Sequence, residues 1–368
     1  MAKIPLMKPY VDENIREKVN EVLESGYLTE GPVTRAFEKA VADFTGAGHA
    51  LAVCNCTVGL EMALRALGVG PGDEVIVPDY TYPATADAAA IVGATIVLVD
   101  IRRENMLVDY DAMEAAITPK TKALMPVSLF GNPLDANRMG GISEKTGIPV
   151  VEDAACSIGA EFKGHKTGSL ADISVFSHHP RKFITTGEGG TITTNDDALA
   201  AWMDSYKHFG MEPGQTAATT KFTRIGTNYK LSNLQAAVGL GQMARIATLL
   251  AKRRELAGTY RRILSEVSGV TVPEITKNGL HSWQSFVVFV EDRDRVIMEM
   301  AEEGIETQIG TFSLHMHEAF AEGPACRHAG DMANSRWAFD HALTLPLYHD
   351  MEPEEQVFVA RALDRITG

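Results

Sequence analysis

The residues best suited to do chemistry lie in one stretch, 173–194, with the sequence ISVFSHHPRKFITTGEGGTITT. Its two ends, Ile173–Ser177 and Gly190–Thr194, are rich in β-branched residues and read as short buried strands. Between them a polar, glycine-rich loop carries Lys182 beside Arg181. A lysine held at a strand end can lose its proton through desolvation or a cationic neighbour, and the neutral amine attacks an aldehyde. Ser177 lies five residues earlier, where its hydroxyl can meet a phosphate. Taken alone, such a lysine is more often a solvated loop residue. Its weight depends on what the rest of the chain brings to it.

The elements around it read as alternating helices and strands. A helix is expected over 33–45, with Phe37, Val41 and Phe44 on one face. A strand at 51–54 leads through Asn55-Cys56-Thr57 into a helix over 58–67. The free amides and dipole of a helix start suit a phosphate, although Asn55 or Thr57 could equally be a simple N-cap. Further strands are expected at Glu74–Pro78, 95–100, 122–130 and 148–153, with helices over 85–92 and Ala136–Thr146. Alternation at this spacing implies a largely parallel α/β sheet, whose ligands gather beyond the carboxyl ends of the strands. Thr57, Tyr82, Asp153 and Ser177 all fall at or just past such ends.

The segment 210–230 is polar, rich in Thr and Gly, and long enough to reach a partner subunit. A long amphipathic helix over 232–265, straight or kinked, is expected to follow it. Then a strand at 282–290 and helices at 293–303 and 353–366 suggest a smaller C-terminal domain. The expected division is 1–248 for a large domain and 249–368 for a small one, within the size a 368-residue chain allows.

Composition excludes several functions. A net charge of −14 disfavours a nucleic acid or an anionic membrane surface as partner. The basic run Lys252, Arg253, Arg254, Arg261 and Arg262 reads as one solvated helix face. Four cysteines in a chain of this length make no disulfide scaffold, and Cys54-x-Cys56 lacks metal-site spacing. His315-Met316-His317 has no third ligand at convincing spacing, so no metal is expected. Gly239-Leu240-Gly241 imitates a dinucleotide fingerprint but sits inside a helical pattern. No apolar run approaches a membrane span and the first residues have no apolar leader core, so a cytoplasmic protein is expected.

What remains coherent is a set: an amine (Lys182), a carboxylate (Asp153), two phosphate anchors (Thr57-Val58 and Ser177) and a flat ring (Tyr82). Pyridoxal phosphate needs each of them, for its aldehyde, its pyridinium nitrogen, its phosphate and its ring face.

Several ordered motifs extend the set. They are Asn55-Cys56-Thr57, ALRALGVGPGDEVIVPDYTYPATADA, Val151-Glu152-Asp153-Ala154-Ala155, Phe176 to Lys182, Thr185 to Gly190, and Thr227-Asn228-Tyr229-Lys230-Leu231. In these the chain resembles the DegT/DnrJ/EryC1/StrS sugar aminotransferases, which have the fold-type I architecture. The resemblance implies that Lys182 carries pyridoxal 5'-phosphate covalently and that Asp153 pairs with the ring nitrogen. Thr57, the amide of Val58 and Ser177 would hold the phosphate, Tyr82 would stack on the ring, and Asn228 would come from the other protomer of a homodimer. It implies a cofactor contact for Cys156 and a donor-carboxylate contact for Lys230. Tyr27, His179 and His315 are candidates to line the sugar cleft.

Three residues depart from the family pattern. Cys156 stands where Gln or His is frequent, Cys56 where Gly is common, and Lys230 where many members have Arg. The implied reaction is transamination of a keto-sugar, expected to be nucleotide-linked, by L-glutamate. The stretch GIETQIGTFSLH leans toward 4-keto-6-deoxy sugars. Rival readings are a 3-keto sugar, a keto-inositol, or a family member kept for regulation without turnover. Dehydratases of the group replace the lysine with histidine, so Lys182 speaks against that reaction.

Overall fold

The computed structural model describes residues 4–212 and 216–368. Short apolar runs form β1 (His49–Val53), β2 (Glu74–Pro78), β3 (Thr95–Val99), β4 (Thr121–Leu124), β5 (Val151–Asp153), β6 (Ile173–Ser177) and β7 (Gly190–Thr194). Cys326–Ala329 returns from far along the chain as β8. The strands line up as β8-β3-β2-β4 and β5-β6-β7-β1. Parallel bridges Leu124↔Val150 and Val127↔Asp153 join the two runs into one layer. Within it β7 runs against both neighbours, and the other pairs are parallel. Strands β2, β6 and β7 are buried along their whole length. Helices cover both faces, which is why these strands read as continuous rather than alternating apolar runs.

The helices begin and stop where local chemistry dictates. In α1 (Glu13–Ser25) the Asp12 side chain accepts from the Ile15 amide, and Gly26 at φ 67° ends the helix. Then α2 (Pro32–Thr45) starts on its proline, α3 (Cys56–Ala66) is capped by Asn55, and α4 (Pro83–Ile91) follows Tyr82. The expected helix over 232–265 is two helices, Asn233–Met243 and Ile246–Leu264, bent by 62°. They answer to different neighbours. The first lies on α1 and α2, where a Cβ at Gly239 or Gly241 would come within 2.6 Å of Phe37 or Ile15. The second packs against the C-terminal helix Pro353–Thr367.

A second, smaller sheet orders Val270–Thr271, Phe286–Val290, Ala342–Leu345 and Gln308–Ile309, all antiparallel. It has its own core, including Tyr260, Phe286, Val288, Leu343 and Leu363. The architecture is therefore the expected α/β one, with a large mostly parallel sheet and a smaller C-terminal α/β unit.

Two strands are shorter than the sequence suggests. The run 122–130 is regular strand only to Leu124: Pro126 has no N–H, Val127 keeps an isolated bridge to Asp153, and Phe130 turns to φ 57°. The run 282–290 becomes a strand only at Phe286, because Trp283 sits at φ 58°. Of the segment 210–230, residues 213–215 lie outside the described residues. The rest holds isolated bridges, His208↔Asn228 and Met211↔Phe222 among them, and no helix. Among the described residues no single helix is long and apolar enough to cross a membrane.

Candidate active site

Strands β1, β2, β5 and β6 all end at one edge of the large sheet, and β7, running the other way, begins there. Gly190 therefore pairs with both Val53 and Ser177. It lies so close to the turn before α3 that a Cβ would sit 2.9 Å from the Asn55 carbonyl carbon and the Cys56 nitrogen. Only glycine lets β7 approach the turn this closely.

The loop 178–189 between β6 and β7 is closed by its own hydrogen bonds. The His178 amide donates to Gly189 O (2.8 Å), the Thr186 amide to His178 O (3.0 Å) and the Lys182 amide to His179 O (2.8 Å). His178 is buried, with Nε2 3.0 Å from Thr191 Oγ1, and burial pushes its pKa down to about 4, so it is neutral. A second clamp comes from the small unit. Gln284 Oε1 accepts from the Phe183 amide (2.5 Å), and its Nε2 donates to Arg181 O (2.6 Å). These two bonds hold the backbone on either side of Lys182. The buried Arg253 in turn donates to the carbonyls of Trp283 and Gln284.

Lys182 Nζ reaches Cys156 Sγ at 3.1 Å. Burial pushes the Lys182 ammonium down, but the Cys156 and Cys56 sulfurs and the Asp153 carboxylate outweigh it, and the net displacement is upward. Asp153 is buried at the end of β5. Its Oδ2 accepts from Thr85 Oγ1 (2.7 Å) and its Oδ1 from the Ala155 amide (3.1 Å). Burial raises the Asp153 pKa, opposed by the Thr85 and Ala155 bonds and by Lys182. Thr85 lies one turn into α4 and meets Thr81 Oγ1 at 2.9 Å, so the carboxylate is the end of a short hydroxyl chain. Glu152 points to the other face, into Ser128 and into Ser174 at 2.9 Å.

Next to this pair lies the start of α3. Asn55 Oδ1 takes the Val58 amide at 3.0 Å, and Thr57 is half-buried with a hydroxyl that has no partner among the described residues. Ser177 Oγ accepts only a long bond from the His179 amide (3.4 Å). Tyr82 presents an exposed ring 6.1 Å from Phe312. His315 is tied to the same region. Asp79, just past β2 and fully buried, accepts from the His315 amide (2.7 Å) and meets its Nδ1 (2.7 Å), with Ser313 and Ser335 on the same carboxylate.

The remaining candidates are not joined to Lys182. Tyr27 is exposed, and its carbonyl accepts from Asn233. His179 points outward toward Glu188 at 3.8 Å. Lys230 bridges to Val53, caps the Phe209 ring at 4.8 Å and bonds the exposed Asn228. Sequence reading missed Thr85, Asp79 and Gln284. Thr85 and Asp79 lie on either side of the Tyr-Thr-Tyr-Pro run, Asp79 legible as a polar residue at a strand end and Thr85 as a polar residue at a helix start. Gln284 stands 102 positions after Lys182 with no local signal. A wide hollow lined by Arg103, Glu104, Phe289, Trp337 and His341 lies elsewhere and holds none of these residues.

The donor set fits pyridoxal phosphate. A buried carboxylate, an amine, an unpartnered hydroxyl beside helix-start amides and a free aromatic ring share one sheet edge, and Gly190 leaves the turn open to them.

Comparison with known proteins agrees. Residues 9–364 match the DegT/DnrJ/EryC1/StrS aminotransferase family. The chain is 39% identical over 328 residues to the GDP-perosamine synthase of Caulobacter vibrioides, covering 87% of this chain and 88% of that one. It is 33% identical over 369 residues to the spore coat polysaccharide biosynthesis protein SpsC of Bacillus subtilis, covering 96% and 94%. Among solved structures, the sugar aminotransferase Spr1654 of Streptococcus pneumoniae in its PMP form superposes with a TM-score of 0.92 at 28% identity, covering 99% of both chains. The same protein has also been solved in its PLP form. The chain belongs to the DegT/DnrJ/EryC1/StrS aminotransferase family and is a pyridoxal phosphate-dependent sugar aminotransferase.

Proposed function

We propose that the chain transfers the amino group of L-glutamate to a nucleotide-linked 4-keto-6-deoxyhexose, giving an amino-sugar and 2-oxoglutarate. The observation that carries this reading is the convergence of the Lys182 amine and the buried, Thr85-bonded Asp153 carboxylate at one sheet edge. A relative whose name specifies a GDP-sugar product supports the nucleotide link.

Pyridoxal phosphate supplies an aldehyde to join an amine and a ring that accepts the electron pair left at the donor's Cα. Lys182 Nζ would hold that aldehyde and, when free, would be the base for the donor's Cα proton. Asp153, held in line by Thr85, would pair with the ring nitrogen and keep it protonated. Thr57 Oγ1, Ser177 Oγ and the Val58 amide would hold the phosphate, the amide being shared with Asn55. Cys156 would lie beside the ring substituents, Tyr82 would cover a ring face, and Tyr27, His179 and His315 would border the sugar cleft. The Asp79 contact fixes the His315 ring orientation.

Asn228 and Lys230 act in the neighbouring protomer's site of a homodimer, where Lys230 receives the donor's carboxylate. Near them the Ile225 side chain is 94% exposed and that of Phe222 64%, apolar surface that a second copy would cover. Residues 1–248 carry the cofactor and 249–368 form the small domain, with β8 crossing back to the large sheet. Four free thiols suit a reducing cytoplasm.

An absorption spectrum of the cofactor-loaded protein, before and after L-glutamate, tests the donor half. The bound-cofactor band should bleach with release of 2-oxoglutarate, and a band that glutamate leaves unchanged would refute this donor. Incubating the bleached protein with nucleotide-linked 4-keto and 3-keto sugars tests the acceptor, since only the true one restores the band. Mixing Lys182→Ala protomers with Asn228→Ala protomers should recover activity if sites are shared, and no recovery would contradict sharing.

A further inference from the structure

Cys156 is close to Lys182 in a way the transamination does not require. Its sulfur lies 3.1 Å from Nζ, both residues are half-buried rather than sealed, and both are held from behind. The Ser157 amide closes a turn onto Ala154 O (2.9 Å), Ser282 Oγ donates to the Cys156 carbonyl (3.4 Å), and Gln284 clamps the backbone flanking Lys182. The other thiols are placed differently. Cys326 is buried beside β3 with its thiol pushed up to about 11, Cys54 lies against Asn55, and burial holds the Cys56 thiol well above its ordinary range.

We propose that Cys156 and Lys182 form a reversible oxidative modification site, in which peroxide drives formation of a covalent Sγ–Nζ bond. Hydrogen peroxide oxidises the Cys156 thiol to a sulfenic acid, cleaving the O–O bond and releasing water. Lys182 Nζ gives its ammonium proton to solvent, and the freed lone pair then attacks that sulfur. The N–S bond forms, the S–O bond breaks, and the departing hydroxide takes a proton from nitrogen and leaves as a second water. Two thiols reverse the step, returning the cysteine and the amine and becoming a disulfide.

The reaction needs Lys182 free, so it is open in the cofactor-free chain and closed while the lysine is joined to the cofactor aldehyde. That last consequence rests on the role proposed above for Lys182, whereas the cross-link itself does not. Oxidation would then mark protein that has lost its cofactor and hold it unloaded until thiols are restored.

The test is peptide mapping of the full chain, cofactor-free, after hydrogen peroxide and tryptic digestion. The expected product is a joined peptide containing Cys156 and Lys182 that lacks two hydrogens, with loss of cleavage after Lys182. Dithiothreitol should restore both. The link should be absent in Cys156→Gln, persist in Cys56→Ser, and fall several-fold when pyridoxal phosphate is loaded first. Cys156 recovered as sulfinic acid with cleavage at Lys182 intact would overturn the proposal, and so would a Cys56–Cys156 disulfide. A link that forms equally with and without pyridoxal phosphate would leave the modification standing and refute the cofactor role of Lys182.

Discussion

Gln284→Ala isolates the contact that fixes the lysine without touching the lysine. Gln284 is buried, and its amide accepts from the Phe183 N–H at 2.5 Å and donates to the Arg181 carbonyl at 2.6 Å. Truncation leaves both backbone groups without these partners, at about 1–3 kcal/mol for each group left unsatisfied. Water can enter from the cleft side, where Arg181 is exposed, so the lower half applies and the loss should be about 2–4 kcal/mol. Urea denaturation measures this directly. Function should fall further than stability alone explains, because Lys182 would no longer be held at its position and a shift of about 1 Å can cost roughly 100-fold in rate. Gln284→Glu keeps the acceptor for Phe183 and loses the donor to Arg181, so it should lie between the parent and the alanine variant. An alanine variant within twofold of the parent in turnover and unchanged in urea midpoint would refute the idea that the small domain positions the lysine.

Other outcomes follow from the same geometry. Asp153→Asn should keep phosphate anchoring but lose a charged hydrogen bond of about 1.5–3 kcal/mol, roughly a 10- to 150-fold fall in turnover by steady-state kinetics. Lys207 is fully buried among Glu38 (3.0 Å), Glu30 (3.3 Å) and Asp204 (3.7 Å), and also donates to Ala52 O. Lys207→Met should therefore destabilise by about 3–5 kcal/mol in urea, since it strands buried carboxylates.

His178 and His281 are buried neutral, with pKa values pushed down by burial to about 4 and about 3. The unfolded chain binds more protons than the folded one below about pH 6.5, so stability is full above that value. It should fall as the pH drops toward 4, by on the order of 1–2 kcal/mol per histidine at pH 5. Urea midpoints at pH 7 and pH 5 check the sign.

Much of the candidate site was legible because its residues stand at strand ends, where composition changes abruptly from apolar to polar. Asp153 closes β5, Ser177 closes β6, and Thr57 follows β1 through an Asn cap, so the strand pattern placed all three at one edge. Lys182 gained meaning only from that shared placement. Gln284 stayed hidden because its clamp depends on how the second sheet docks, and no periodicity encodes a contact across about a hundred residues. Strand β8 was equally opaque: Cys326–Ala329 is too short and mixed to read as a strand until β3 offers it an edge. The break between Met243 and Ile246 follows from two helices serving two cores, again a tertiary fact. Within one chain Lys230 bridges to Val53 of β1 and bonds Asn228, and among the described residues the bonds of neither reach Lys182, so their proposed roles depend on a second copy.

The most direct test of the central claim is to load the protein with pyridoxal phosphate, reduce it with borohydride and map the labelled peptide. The account requires one reduced adduct, on Lys182, absent from Lys182→Ala and prevented by prior glutamate treatment. An adduct on Lys207, Lys230 or any other lysine, or no adduct at all, would contradict it.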